Sequence, residues 1–267
     1  MLAGLIFGFC LIASAGAETA IKPLSEVEWE ALNPARGDQS PRAATLWGDR
    51  AGTEATGFLV RFADGFSSPP HIHNVSYRGV VISGLIHNDD PAAEKLWMPT
   101  GSYWTQPAGD VHITAARGTD NLAYIEIESA PYLVRPPSSA FDNGERPVND
   151  LASEIVWAGK PEFGSPSTAS AEPDLAALWG EGGGEALNGS LLRLPAGSGV
   201  RIDVAGPELR AVVIEGRVYV GAAKTALGPG GSIGTTDGDA VPELSCHDED
   251  ACLLYVRASG GLKLTTR

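Results

Sequence analysis

Basic residues are in short supply: 19 Lys and Arg stand against 33 Asp and Glu in 267 residues, a formal net charge of −14 at pH 7. A surface this acidic repels phosphate backbones and anionic lipid, which argues against nucleic acid as a partner. Long apolar runs are missing after the first residues, so no later stretch can cross a bilayer as a helix. Helical periodicity is almost as rare, and only Ser170–Leu178 predicts a short helix. No phosphate-cradling Gly-rich loop precedes a helix pattern, and no Cys-x-x-Cys pair occurs. What the chain has in quantity is Gly (33) and Pro (19), a mix that favours short strands joined by turns.

The one apolar run, Leu5-Ile6-Phe7-Gly8-Phe9-Cys10-Leu11-Ile12-Ala13, leads into Ala15-Gly16-Ala17 and then Glu18. Its length and small-residue end predict an export signal over residues 1–17 and a periplasmic or secreted mature protein, although no Lys or Arg precedes it. Two cysteines then remain, Cys246 and Cys252. In an exported protein such a pair implies a disulfide around an acidic loop; the alternative is two thiols at the ends of that turn.

The chain also repeats itself. Leu46-Trp47-Gly48 returns as Leu178-Trp179-Gly180, and Leu59-Val60-Arg61 as Leu191-Leu192-Arg193. Val80-Val81-Ile82-Ser83-Gly84 returns as Val212-Val213-Ile214-Glu215-Gly216, and all these pairs lie 132 residues apart. A constant offset marks two copies of one fold. Each copy reads as short β runs, such as Val80–Ser83, Ala123–Ile127, Ala211–Glu215 and Leu253–Val256, separated by turn residues. The expectation is an all-β chain of two barrels or sandwiches: 18–135, a Pro- and Asn-rich linker at 136–150, and 151–267. Two copies allow an intramolecular pseudo-dimer, and a homodimer is left open.

Only five histidines occur, and three form a pattern. His71-Ile72-His73 puts two imidazoles on one face of an extended segment, and His112 follows after Gly101 and Pro107-Ala108-Gly109. Such a cluster suits one divalent ion of Fe, Mn, Zn, Ni or Cu. His87, after Leu85-Ile86, reads as an exposed or turn residue, and His247 as part of an exposed loop.

The segments Gly65…His71-x-His73…Gly84 and Gly101…Pro107-x-Gly109…His112 resemble the two motifs of the cupin superfamily. The repeat makes the whole chain similar to bicupins, of a family without assigned function. The resemblance implies jelly-roll (double-stranded β-helix) barrels and a metal held by His71, His73 and His112. It also implies a glutamate ligand where this chain has Tyr77. Three neutral imidazoles leave the full metal charge, which favours anionic or bidentate oxygen ligands. Tyr77 then has three readings: a phenolate ligand, a group that moves a proton, or an aromatic that fills the barrel. Trp97, Tyr103 and Trp104 border the second motif as candidate ligand-binding residues. Glu126 is a further candidate on a strand whose Tyr124, Glu126 and Glu128 also read as a polar outer face.

In the second copy the 132-residue offset sets Asp203, Ala205 and Leu209 opposite His71, His73 and Tyr77, with Val241 or Pro242 near the place of His112. The ligand set is gone as a group, so one metal per chain is expected. Two functions follow from the resemblance. One is a metal-dependent enzyme, of dioxygenase or lyase type, acting on a small oxygen-rich molecule; the other is a non-catalytic module that binds or senses metal or a small ligand.

Overall fold

The computed structural model describes residues 19–158, 172–180, 185–235, 241–247 and 249–266; the segment read as an export signal lies outside them. The described residues form strands and turns, with helical geometry confined to three short 3-10 segments. None of these is long and apolar enough to cross a membrane. The helix expected over Ser170–Leu178 gives way to the strand Asp174–Trp179, paired antiparallel with Leu187–Leu194. Pairing partners override a weak local helical spacing.

The duplication is visible as topology. In one sheet the strands run in the order Tyr103–Gln106, Tyr77–Asp89, Ile113–Ile127, Thr56–Phe62, Arg42–Trp47. The other repeats it as Ser232–Thr235, Leu209–Glu215, Cys252–Ser259, Leu187–Leu194, Asp174–Trp179. Each sheet then gains an edge strand that precedes the other copy. Ala20–Lys22 pairs with Ser232–Thr235, and Val148–Asp150 pairs with Tyr103–Gln106. These exchanged strands cross the boundaries expected at 18–135 and 136–150.

Matched glycines hold matched conformations. Gly84 and Gly216 both sit at positive φ (76° and 80°), where other residues are strained. Gly57 and Gly189 carry the indoles of Trp47 and Trp179: an added Cβ would lie 2.1 and 1.9 Å from the respective ring nitrogens. Each indole N–H is thereby aimed at a tyrosine hydroxyl, Trp47 at Tyr124 (3.1 Å) and Trp179 at Tyr255 (2.9 Å).

Strand alternation feeds two cores at once. Phe58, Val60 and Phe62 point into the first barrel, whereas Leu59 between them joins Val80, Leu191 and Val212 in a core shared by both copies. Tyr124, Glu126 and Glu128 lie on this contact face, so the expected outer face of that strand is polar but packed against the second copy. Glu126 is 1% exposed and accepts hydrogen bonds from Tyr124 (3.1 Å) and Tyr255 (2.7 Å). Arg257, equally buried, lies 3.5 Å from Glu126 and donates two 2.9 Å bonds to Glu128. Burial pushes the Glu126 carboxyl up, with Arg257 and Tyr255 opposing. The second barrel closes with a five-stranded sheet, and a disulfide ties Cys246 of that sheet to Cys252 of the six-stranded one.

Candidate metal centre

Pro69-Pro70 bring the chain in extended form to His71, which cannot continue a helix from that side. His71 and His112 then face each other across a backbone bridge, each N–H donating to the other's carbonyl at 3.0 Å. His73 is fixed one pleat further along, where Ile72–His73 pairs with Val134–Arg135 and the His73 carbonyl accepts from Gly109. Period-two geometry puts both His71 and His73 on the face that His112 occupies.

The rings are oriented by the backbone. Each Nδ1 meets a carbonyl oxygen: His71 with Pro69 (2.9 Å), His73 with Leu133 (3.2 Å) and His112 with Asp110 (3.1 Å). A nitrogen facing a carbonyl carries the proton, so each Nε2 is a bare lone pair. The ligand atoms of the three residues lie within 4.8 Å of one another, and the Nε2 atoms of His71 and His73 are 3.2 Å apart. Burial lowers all three pKa values, with neighbouring histidines adding to the effect at His73 and His112; His112 is pushed down to about 3. At His71 the charge of Arg36 lowers it further, while the Pro69 carbonyl opposes. Three neutral imidazoles aiming lone pairs at one point are the donor set of a transition-metal ion, with their far nitrogens already held as such ligands require.

Two tyrosines complete the surroundings. Tyr77 donates to Asn88 Oδ1 (2.8 Å), which turns its oxygen lone pairs toward His112 Nε2, 3.4 Å away. Asn88 is itself held by Thr114 (2.8 Å) and by its bond to Gln106 (2.7 Å). Burial raises the Tyr77 pKa, so the phenol keeps its proton. Tyr132 stacks on His73 (centroids 4.2 Å, 16° between planes), with its hydroxyl 3.1 Å from His73 Nε2. A cavity of about 120 Å³ opens beside His71 and His73, walled by Val60, Phe62, Phe66 and Ile125, with Arg36 also on its lining.

Of the residues read from sequence, His71, His73, His112 and Tyr77 come together, and Trp97, Tyr103, Trp104 and Glu126 do not line this cavity. Tyr103 belongs to the core between the copies, and Trp104 lies against Gly79 within the barrel wall. Trp97 stands beside His87, Lys95 and Arg117. His87, expected to be exposed, is buried: its strand runs on to Asp89 through bulges near Ser83, and its Nδ1 faces the Leu96 carbonyl (3.3 Å). His247 is exposed, as its loop position implied. Tyr132 and Arg36 were not singled out by the sequence, because each sits in a turn-rich segment with no periodicity to mark its direction. Gly230-Gly231-Ser232-Ile233-Gly234 matches the pattern of a nucleophile elbow, but Ser232 begins a strand paired with Leu209–Glu215 rather than a turn into a helix.

The second copy differs at every matching place. By strand pairing, Val200 opposite Leu244 corresponds to Ser68 opposite Thr114, and Leu209, paired with Thr235, to Tyr77, paired with Gln106. Val200, Ile202, Leu209 and Leu244 belong to the core of the second barrel. All four are buried and apolar. Asp203 and Ala205, which a constant offset would select, are exposed.

The fold is shared with structures that bear very different names. A protein of Nostoc punctiforme, provisionally described as a dioxygenase, matches with a TM-score of 0.68 at 14% identity, over 92% of this chain and 84% of its own. The vicilin of hazelnut, Corylus avellana, matches with 0.59 at 11% identity over 91% and 87%. A variant oxalate decarboxylase from Bacillus subtilis matches with 0.51 at 11% identity over 92% and 78%. At such identities the likeness is one of fold, and that fold is the cupin fold. No curated protein sequence matches the chain. A family model does, over residues 21–265, and the chain therefore belongs to the family described as DUF4437, a domain of unknown function.

Proposed function

We propose that this chain is an exported bicupin in which one barrel holds a single divalent metal and acts as a dioxygenase- or lyase-type enzyme on a small oxygen-bearing organic molecule, while the other is structural. The observation that carries the reading is the convergence of three backbone-oriented Nε2 atoms beside a cavity and two tyrosine hydroxyls. The metal supplies Lewis acidity or a centre for O2, held by His71, His73 and His112. Tyr77 acts on protons at its phenol oxygen, and the Asn88 carbonyl oxygen fixes the direction in which that proton points. Tyr132 keeps the His73 ring in its plane and offers a second hydroxyl at the same centre. Apolar walls keep water from the reacting group.

Tyr77→Phe is the test, because it keeps the ring and removes only the hydroxyl. Metal content by elemental analysis should stay at the wild-type level, while turnover of a substrate found by screening small acids for O2 uptake or CO2 release falls about 100-fold. Loss of metal along with activity would make Tyr77 a ligand. Survival of metal and full turnover would reduce it to a packing residue and refute the proton-handling role. A module that only binds or senses would hold the same metal and show no turnover in any screen.

A further inference from the structure

The cavity beside the histidines is chemically two-ended. It carries His71, His73, Tyr77 and Tyr132, and its walls are mostly apolar. Near its opening stands one cation, Arg36, half-buried on the loop between the paired strands Glu30–Ala31 and Arg42–Trp47. That loop is tied down by its own bonds. Asn33 Oδ1 accepts from Ala35 N (3.1 Å), Ser40 Oγ accepts from Asn33 N (2.8 Å), and Leu32 N donates to the Pro41 carbonyl (2.8 Å). The loop therefore presents Arg36 at a set place instead of letting it wander in solvent. Its guanidinium lies 5.5 Å from the Phe66 ring centroid, and among the described residues it has neither an ion-pair partner nor a side-chain hydrogen bond.

We infer that Arg36 is the anchor for the carboxylate of the molecule that enters this cavity, and that the substrate class is a small monocarboxylate with an apolar body. This rests on the reading of the cavity as the enzyme's substrate site and narrows its oxygen-bearing ligand to one charged end. The fork of a guanidinium matches a carboxylate through two parallel N–H···O bonds, which a lysine or an amide cannot reproduce. Val60, Phe62, Phe66 and Ile125 offer no hydrogen bonds, and the polar side chains on the lining, Asn33, Ser68 and Thr114, are already bonded within the protein, so a sugar or polyol would leave hydroxyls unsatisfied between the two ends. An aliphatic or aromatic body has no such cost.

Matched pairs of probes decide the matter: benzoate against benzamide, and isobutyrate against isobutyramide, titrated calorimetrically into the full mature chain. Each titration is run on metal-free and on metal-loaded protein. At least one acid should bind about tenfold or more tightly than its amide, less so at high salt. Arg36→Gln should remove that preference in both forms, leaving amide binding and metal content unchanged, and Arg36→Lys should restore part of it. The variant should fold, because the guanidinium holds nothing else in place. Equal binding of acid and amide, an acid preference that persists in Arg36→Gln, or no binding of either acid would overturn the inference. Failure of the metal reading shows separately, as absent metal uptake with the Arg36 preference intact.

Discussion

The two barrels have one topology and opposite interiors. The first interior holds His71, His73, His112 and Tyr77; the second is filled by aliphatic side chains, Val200, Ile202, Leu209 and Leu244 among them. Both keep the Trp-on-Gly packing and the indole-to-tyrosine hydrogen bond that brace the contact between them. The contact face is unlike as well, with Glu126 of one copy against Arg257 of the other. The difference teaches that the architecture does not need the polar cluster. A barrel of this kind closes well on aliphatic side chains, so three buried imidazoles, each lowering stability by desolvation, point to a use beyond packing.

The largest expected effect that would sharpen this comparison is in the filled barrel. Leu209→Ala should cost about 2–5 kcal/mol in urea unfolding, the usual range for a buried leucine whose site cannot collapse. A cost near zero would mean that the second interior is loosely packed and the contrast false.

The next effect is in pH dependence. His112 has an ordinary value of 6.5 and a folded value of about 3, lowered by burial first and by His71 second. Between those values the unfolded chain takes up a proton that the folded chain refuses, so folding stability of the metal-free protein falls as pH drops from 6.5 toward 3. His112→Leu, which gives the site an aliphatic side chain like those of the second barrel, should flatten that slope in thermal melts run with chelator. An unchanged slope would show that the cluster is not the source.

The smallest effect belongs to Tyr77→Phe, which should change stability by about 1 kcal/mol or less. Asn88 Oδ1 keeps its bond from Thr114 when the phenol is gone, so no buried acceptor is orphaned. A loss as large as that of Leu209→Ala would make Tyr77 a structural twin of Leu209 instead of a functional departure from it.

Much of this contrast was legible in the residues. Period-two spacing alone sets His71 and His73 on one face, and the repeat alone shows that the second copy lacks them. Faces were read less well than elements. The constant offset sets Asp203 and Ala205 opposite His71 and His73 without saying which face they take, and both are exposed while Val200 and Ile202 fill the interior. Tyr124, Glu126 and Glu128 alternate as a polar face should, yet that face is covered by the other copy, and alternation carries no information about what lies beyond a strand. Arg36 and Tyr132 reach the cavity from loops, where direction depends on closure of the whole fold.

The central claim is that one barrel binds metal and the other cannot. Elemental analysis of the mature protein, purified without chelators or affinity histidines, tests it most directly, with His73→Ala treated identically. The account predicts one transition-metal ion per wild-type chain and none in His73→Ala. Two ions per wild-type chain, or a full complement retained by His73→Ala, would contradict it.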